Sequence, residues 1–194
     1  EVGIITSDGK EHLWDSKSLQ RLGKVDMALI TFTSKRNYQV AKIGDTKTIT
    51  EGNQVFVAGF PLPSYAVPIS FLRFLEGKII ANARVGIPDG YQLLYSNPTL
   101  KGMSGGCVLD EQGNLVGIHG REDGQISLST GKSVGSRHNM AVPITYYQQF
   151  VNGEKIVAAT TKATTADDYL AKAKVLLGEK GKENEVIKLS NKAL

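Results

Sequence analysis

From residue 1 to residue 144 the chain is punctuated. Short runs of β-branched and aromatic residues are each cut off by Gly, Asp, Asn or Pro before a helical face can repeat. "VGIIT", "EHLW", "VDMALITF", "YQVAKIG" and "NQVFVAGFP" read as strands, because such runs fit a pleated, half-buried surface and the breakers between them supply turns. "SDGK" at 7–10 is a hairpin turn, Asp-Gly tolerating the positive φ that tight turns need. "SFLRFLEGKIIANARV" at 70–85 has helically spaced leucines, but Gly77 and the β-branched pair Ile79–Ile80 favour two strands. "YQLLYS" is a further strand, "CVLDEQGNLVGI" a hairpin across "DEQGN", and "HNMAVPI" a last strand ended by Pro143. The expectation is an all-β domain over residues 1–155.

Beyond residue 144 the pattern changes. "TYYQQFVNG" reads as a short helix closed by Gly153, and "VAATTKATTA" has the small polar composition of a linker, placed at 156–166. "DDYLAKAKVLLGEK" then repeats apolar residues at Leu170, Ala173 and Leu177, with Asp167 and Asp168 at its start, where they suit the helix dipole. "ENEVIKLSNKAL" reads as a second helix, so residues 167–194 form an expected helical hairpin. It resembles a tetratricopeptide-like helix pair. A single pair buries little alone, so the resemblance implies the start of an array or a contact with a protein partner.

Charge and cysteine usage narrow the function classes. The formal charge of +4 comes from scattered Lys and Arg, with no basic cluster of the kind a nucleic-acid groove needs. No stretch approaches 18 apolar residues, so no membrane-spanning helix is expected. The one cysteine, Cys107, lies in an apolar run and allows neither an internal disulfide nor a thiol-only metal site. Lack of disulfides fits a reducing, cytoplasmic compartment. Asp110, Glu111 and Asp123 match no calcium-loop spacing, and no cofactor or metal is expected.

The chemistry concentrates in "SNPTLKGMSGGCVLDEQGNLVGIHG", residues 96–120. Glycines on both sides of Ser104 let backbone N–H groups converge on one point, which an oxyanion needs; the bland alternative is a Gly-rich turn with an incidental serine. The same residues satisfy G-x-S-x-G, the nucleophile elbow of α/β-hydrolases, but that elbow requires a helix after the serine and this segment continues as a hairpin. Upstream, Asp26 leads into the apolar "MALITF", an environment that suits a carboxylate orienting an imidazole or, more simply, a turn aspartate.

"VDMALITF", "GMSGGCVLDEQGNLVGIHG" and "NMAVPI", in that order, resemble the chymotrypsin/trypsin-like serine peptidases, specifically the disulfide-poor bacterial branch with HtrA-type and glutamyl endopeptidases. The resemblance covers roughly residues 1–150. It implies a double antiparallel β-barrel with the site between the barrels, a polypeptide substrate, Ser104 as nucleophile, Gly102 and Ser104 as oxyanion hole, and Asp26 as the acidic triad member. It implies a substrate pocket built from Thr99, Leu100, Ile118 and His119. Thr99 and His119 match the pair of glutamyl endopeptidases, which would hold an acidic side chain; the alternatives are a small or apolar preference, with His119 an ordinary strand residue. The family's catalytic histidine should lie upstream of Asp26 in a Thr-Ala-x-His-like stretch. Only His12, in "KEHLWDS", stands on that side, without such a motif. The expectation is therefore an incomplete first barrel, with the base supplied from upstream of residue 1 by another chain or segment. A catalytically inactive peptide- or subunit-binding module is the alternative.

Overall fold

The computed structural model describes residues 3–83, 87–126, 133–156 and 183–193, with backbone alone for 123, 125–126, 133–137 and 193. Its centre is a closed barrel of six antiparallel strands, ordered β10-β7-β6-β5-β8-β9. These are β5 (Gln54–Gly59), β6 (Arg73–Asn82), β7 (Leu93–Tyr95), β8 (Cys107–Leu109), β9 (Leu115–Ile126) and β10 (Ser133–Pro143). Closure removes every sheet edge from the barrel wall. Alternate side chains fill the interior, with Val55, Val57, Ile79, Leu93, Tyr95, Met103, Val108 and Val116 all buried.

Two expectations about these strands need correction. Residues 70–85 do not form two strands divided at Gly77; β6 runs unbroken through it for 10 residues. Glycine is required there because the Asn97 amide occupies the room a Cβ would take. The last strand is not confined to 138–144. It begins at Ser133 and pairs with a β9 that extends to Ile126. "REDGQ" carries no apolar alternation, so ladder pairing alone makes it a strand, and periodicity gave no sign of it.

Upstream of the barrel lie two two-stranded sheets, β1 (Gly3–Ile5) with β2 (Glu11–Leu13), and β3 (Gln20–Arg21) with β4 (Ala28–Leu29). The "SDGK" turn forms as expected, with Gly9 at φ 76° and its N–H donating to Thr6 O at 2.8 Å. "VDMALITF" contributes only Ala28–Leu29 to a ladder, because Leu22–Met27 folds into a tight turn closed by Leu22 N–H to Met27 O at 3.0 Å. "YQVAKIG" reduces to one bridge, Ile43 to Leu115. This segment is docked on the barrel by a second core, in which Leu22 and Val25 pack with Tyr91, Met140, Val142 and Tyr146. Tyr146 belongs to α1 (Thr145–Val151), the helix expected from "TYYQQFVNG". A further helix, α2 (Glu183–Ala193), lies where "ENEVIKLSNKAL" was read as helical. The 156–166 linker and the first helix of the tetratricopeptide-like pair fall almost wholly outside the described residues.

Candidate functional site

The loop into the glycine-rich turn is fixed from the barrel interior outward. Asn97 is fully buried, and its Nδ2 donates to Val55 O at 2.9 Å and Leu75 O at 2.8 Å, tying the loop to β5 and β6. Asn97 O accepts from Asn139 Nδ2 at 2.7 Å, and Asn139 Oδ1 accepts from the Thr99 hydroxyl at 2.8 Å. Buried polar groups linked in this way hold one geometry, since each lost bond leaves a desolvated partner.

The turn itself alternates anchor and opening. Met103 is 1% exposed and drives into the core, while Gly102 and Gly105 adopt φ of 96° and 90°, a region costly for residues with a Cβ. Gly105 N–H donates to His119 O at 2.7 Å and His119 N–H to Gly106 O at 2.8 Å, stitching the turn to β9. A side chain on Gly102 would meet Leu62, and one on Gly106 would meet Ala58 O. Ser104 stands exposed at the apex, its hydroxyl donating to Gly120 O at 2.7 Å. Among the described residues, the amides of Gly102 and Ser104 have no hydrogen-bond acceptor.

Ser104 borders a cleft of about 620 Å³, within the range of small-ligand sites. Thr99, Leu100, His119, Arg121 and Asn139 also line it. His119 is only 4% exposed, and burial pushes its imidazole below the ordinary value of 6.5, so the ring is neutral at pH 7. Its Nδ1 lies 2.7 Å from the Tyr95 hydroxyl, which also lies 3.1 Å from Met140 O. The hydroxyl has one proton: where it goes to Met140 O, Nδ1–H donates to the tyrosine oxygen and Nε2 is unprotonated; where it turns to Nδ1, Nε2 carries the ring proton.

Asp26 stands at the end of the docked turn. Its Oδ2 accepts from the Tyr91 hydroxyl at 2.6 Å and from Arg121 Nη2 at 3.4 Å, and its N–H donates to Asp89 O at 2.8 Å. Arg121 also reaches Asp89 Oδ2 at 2.9 Å and lies over the Tyr91 ring at 4.2 Å. Arg121 lines the Ser104 cleft, so one side chain links the serine's cleft to the carboxylate.

Over residues 1–118 the chain matches the family of the trypsin-like peptidase domain. The chain belongs to that family. Solved structures of the HtrA-type protease AlgW with a decapeptide, and of a serine-to-alanine variant of it with a tripeptide, share its fold. Each is 22% identical with a TM-score of 0.56, and they cover 78% of this chain. The same variant with a decapeptide is 21% identical with a TM-score of 0.54, covering 77%. The chain spans 43–46% of the length of those structures. No curated protein matches it.

Within this trypsin-like domain, Thr99, Leu100, Ser104 and His119 come together around one cleft, whereas Ile118 does not line it. Alternation along β9 turns Ile118 away from the face that presents His119. The serine is followed by strand β8 rather than a helix, which removes the α/β-hydrolase elbow. Asp26 is exposed, and its charge is met by Arg121. Neither His12 nor His119 bonds Ser104 or Asp26. His12 Nε2 lies 3.2 Å from the Tyr38 hydroxyl, and its ring packs 5.0 Å from Phe32. Sequence reasoning missed Tyr91, Arg121 and Asn139. "REDG" drew no attention because Arg121 works across the fold, on residues far from it in sequence. Cys107 is half-buried, and burial pushes its thiol up.

Proposed function

We propose that the domain is a serine endopeptidase, with Ser104 as nucleophile and a histidine from outside this chain as base. The observation that carries this reading is the glycine turn: an exposed serine on an anchored apex, beside two unengaged amides, at the mouth of a cleft. Ser104 Oγ would attack the carbonyl of a bound polypeptide while the Gly102 and Ser104 amides receive the oxyanion. The incoming imidazole would take the serine proton and pass it to the leaving amine, with Asp26 behind it. Between the docked turn and the cleft mouth, the ring would replace the present bond from Ser104 to Gly120 O.

A fluorophosphonate should label Ser104 in the full protein, read by mass spectrometry. Label on a different serine during measurable peptide hydrolysis overturns the assignment. Ser104→Ala should abolish turnover with the thermal midpoint unchanged, since an exposed hydroxyl contributes little packing. Residues 1–194 alone should be about 10²–10⁴-fold slower than with the base-bearing segment added, the range a general base contributes. Equal rates would mean that a histidine of this chain is the base.

The cleft's chemistry supports acidic side chains before the cleaved bond. His119 donates from Nε2 when the Tyr95 proton turns from Met140 O to Nδ1 or when the ring is protonated, and Thr99 can turn its proton from Asn139 Oδ1 to a carboxylate. Losing one such charge-assisted bond costs about 1.5–3 kcal/mol. His119→Ala should accordingly slow cleavage after Glu roughly ten- to hundredfold and leave slow cleavage after Ala unchanged.

A further inference from the structure

Gly120 is glycine for a reason visible across the site. A Cβ there would overlap the Tyr91 hydroxyl and come within 2.6 Å of the ring carbons Cε1 and Cζ. Tyr91 is 1% exposed, its ring edge against Gly120 and the Arg121 guanidinium over the ring, 4.2 Å from its centre. From that slot the hydroxyl reaches past β9 to Asp26 Oδ2 at 2.6 Å. Both side-chain bonds to Asp26, from Tyr91 and Arg121, fall on Oδ2, and among the described residues Oδ1 receives none. A carboxylate held by one oxygen and open at the other is arranged to receive an imidazole N–H. Arg121 at 3.4 Å is the weaker holder, and its guanidinium is shared with Asp89 at 2.9 Å.

We propose that Tyr91 is a positioning residue of the peptidase site, fixing Asp26 through its hydroxyl, and that residue 120 is glycine to admit it. The proposal rests on the reading of Asp26 as the orienting carboxylate. Without the hydroxyl, a carboxylate whose side chain is 57% exposed would rotate into water, and the imidazole behind which it stands would lose its fixed orientation. Tyr91 remains a donor across the working range, since burial first and Asp26 second raise its phenol above 10.

The test is a double-mutant cycle on the full protein, reading the rate of Ser104 labelling by a fluorophosphonate. Tyr91→Phe keeps the ring and its packing and removes only the donor. It should slow labelling about tenfold in the parent, the scale of one hydrogen bond to a charged group. In an Asp26→Ala background the same change should alter the rate less than about twofold, since Tyr91 acts through Asp26. Equal slowing in both backgrounds, or none in the parent, overturns the proposal. Gly120→Ala, which displaces the Tyr91 ring, should reproduce the Tyr91→Phe loss. A parent that neither labels nor hydrolyses peptides overturns the peptidase reading instead. The Tyr91–Asp26 bond is then judged on residues 1–194 alone by NMR titration of the Tyr91 phenol. Asp26→Asn should lower its pKa toward 10, and an unmoved pKa ends the anchor.

Discussion

A histidine at 4% exposure, bonded at 2.7 Å to a tyrosine, titrates differently from one in water. Burial holds His119 below 6.5 in the folded chain, while the unfolded chain takes up its proton near 6.5. In the window below 6.5 the unfolded state binds more protons, so stability falls as pH drops and is fully present above it. His119→Gln should flatten that part of the profile of thermal midpoint against pH; an unchanged slope would put the acid sensitivity elsewhere. The same neutrality shapes specificity. A substrate glutamate stays ionised well below neutrality, whereas His119 gains a proton only as pH falls below 6.5, so the preference for Glu over Gln should rise as pH drops through that range. Ser104 and His119, which the fold brings to one cleft, were legible as candidates because the signal is local to "GMSGG" and "GIHG". Tyr91 and Asn139 were not, since a hydroxyl in "GYQLL" and an amide in "HNMAV" acquire meaning only when the barrel closes.

Strand β6 shows why element boundaries misled. Gly77 looked like a breaker, and in isolation it weakens a strand. In the barrel it is the place where the fully buried Asn97 leans on the backbone while donating to β5 and β6. Gly77→Ala should force the Asn97 amide aside, costing about 1–3 kcal/mol in denaturant unfolding, as overpacking of a filled core does. Because Asn97 O also receives Asn139, which receives Thr99, the displacement should spread to the cleft and weaken discrimination between Glu and Gln substrates. Unaltered stability would mean that the loop yields without strain. The hairpin "DEQGN" was legible for the opposite reason: its stabilisation is local. Gly113 takes φ 78°, and the Asp110 carboxylate accepts from the amides of Gln112 and Asn114.

The whole molecule joins one closed barrel to an upstream segment whose own ladders are short, so the segment's order comes from docking rather than from its sheets. The anchors are Leu22, fully buried, and Val25, packed with Tyr91, Met140, Val142 and Tyr146. The all-β class was legible from punctuated strands; a barrel came only from the family resemblance, which implied two where one is closed among the described residues. The shortness of "VDMALITF" as a strand was not, because the apolar run that signals β structure is spent partly on this docking contact. Asp26 follows Val25 directly, so its placement depends on the same anchors. Leu22→Ala should cost the docked state about 2–5 kcal/mol, the range for emptying a buried leucine site. If docking is a local equilibrium, hydrogen exchange at the amides of Val25 and Asp26 should speed up by the corresponding factor. The amides of Val55 and Val57, in the separate barrel core, should keep their protection, since they open only with the barrel itself. Asp26 is the sensitive reporter, its N–H being held by Asp89 O across the junction at 2.8 Å. An equal rise at all four amides would show that barrel and segment unfold as one cooperative unit. Asp26 would then be held by the entire core, with no hinge at residues 22–25 through which it could move.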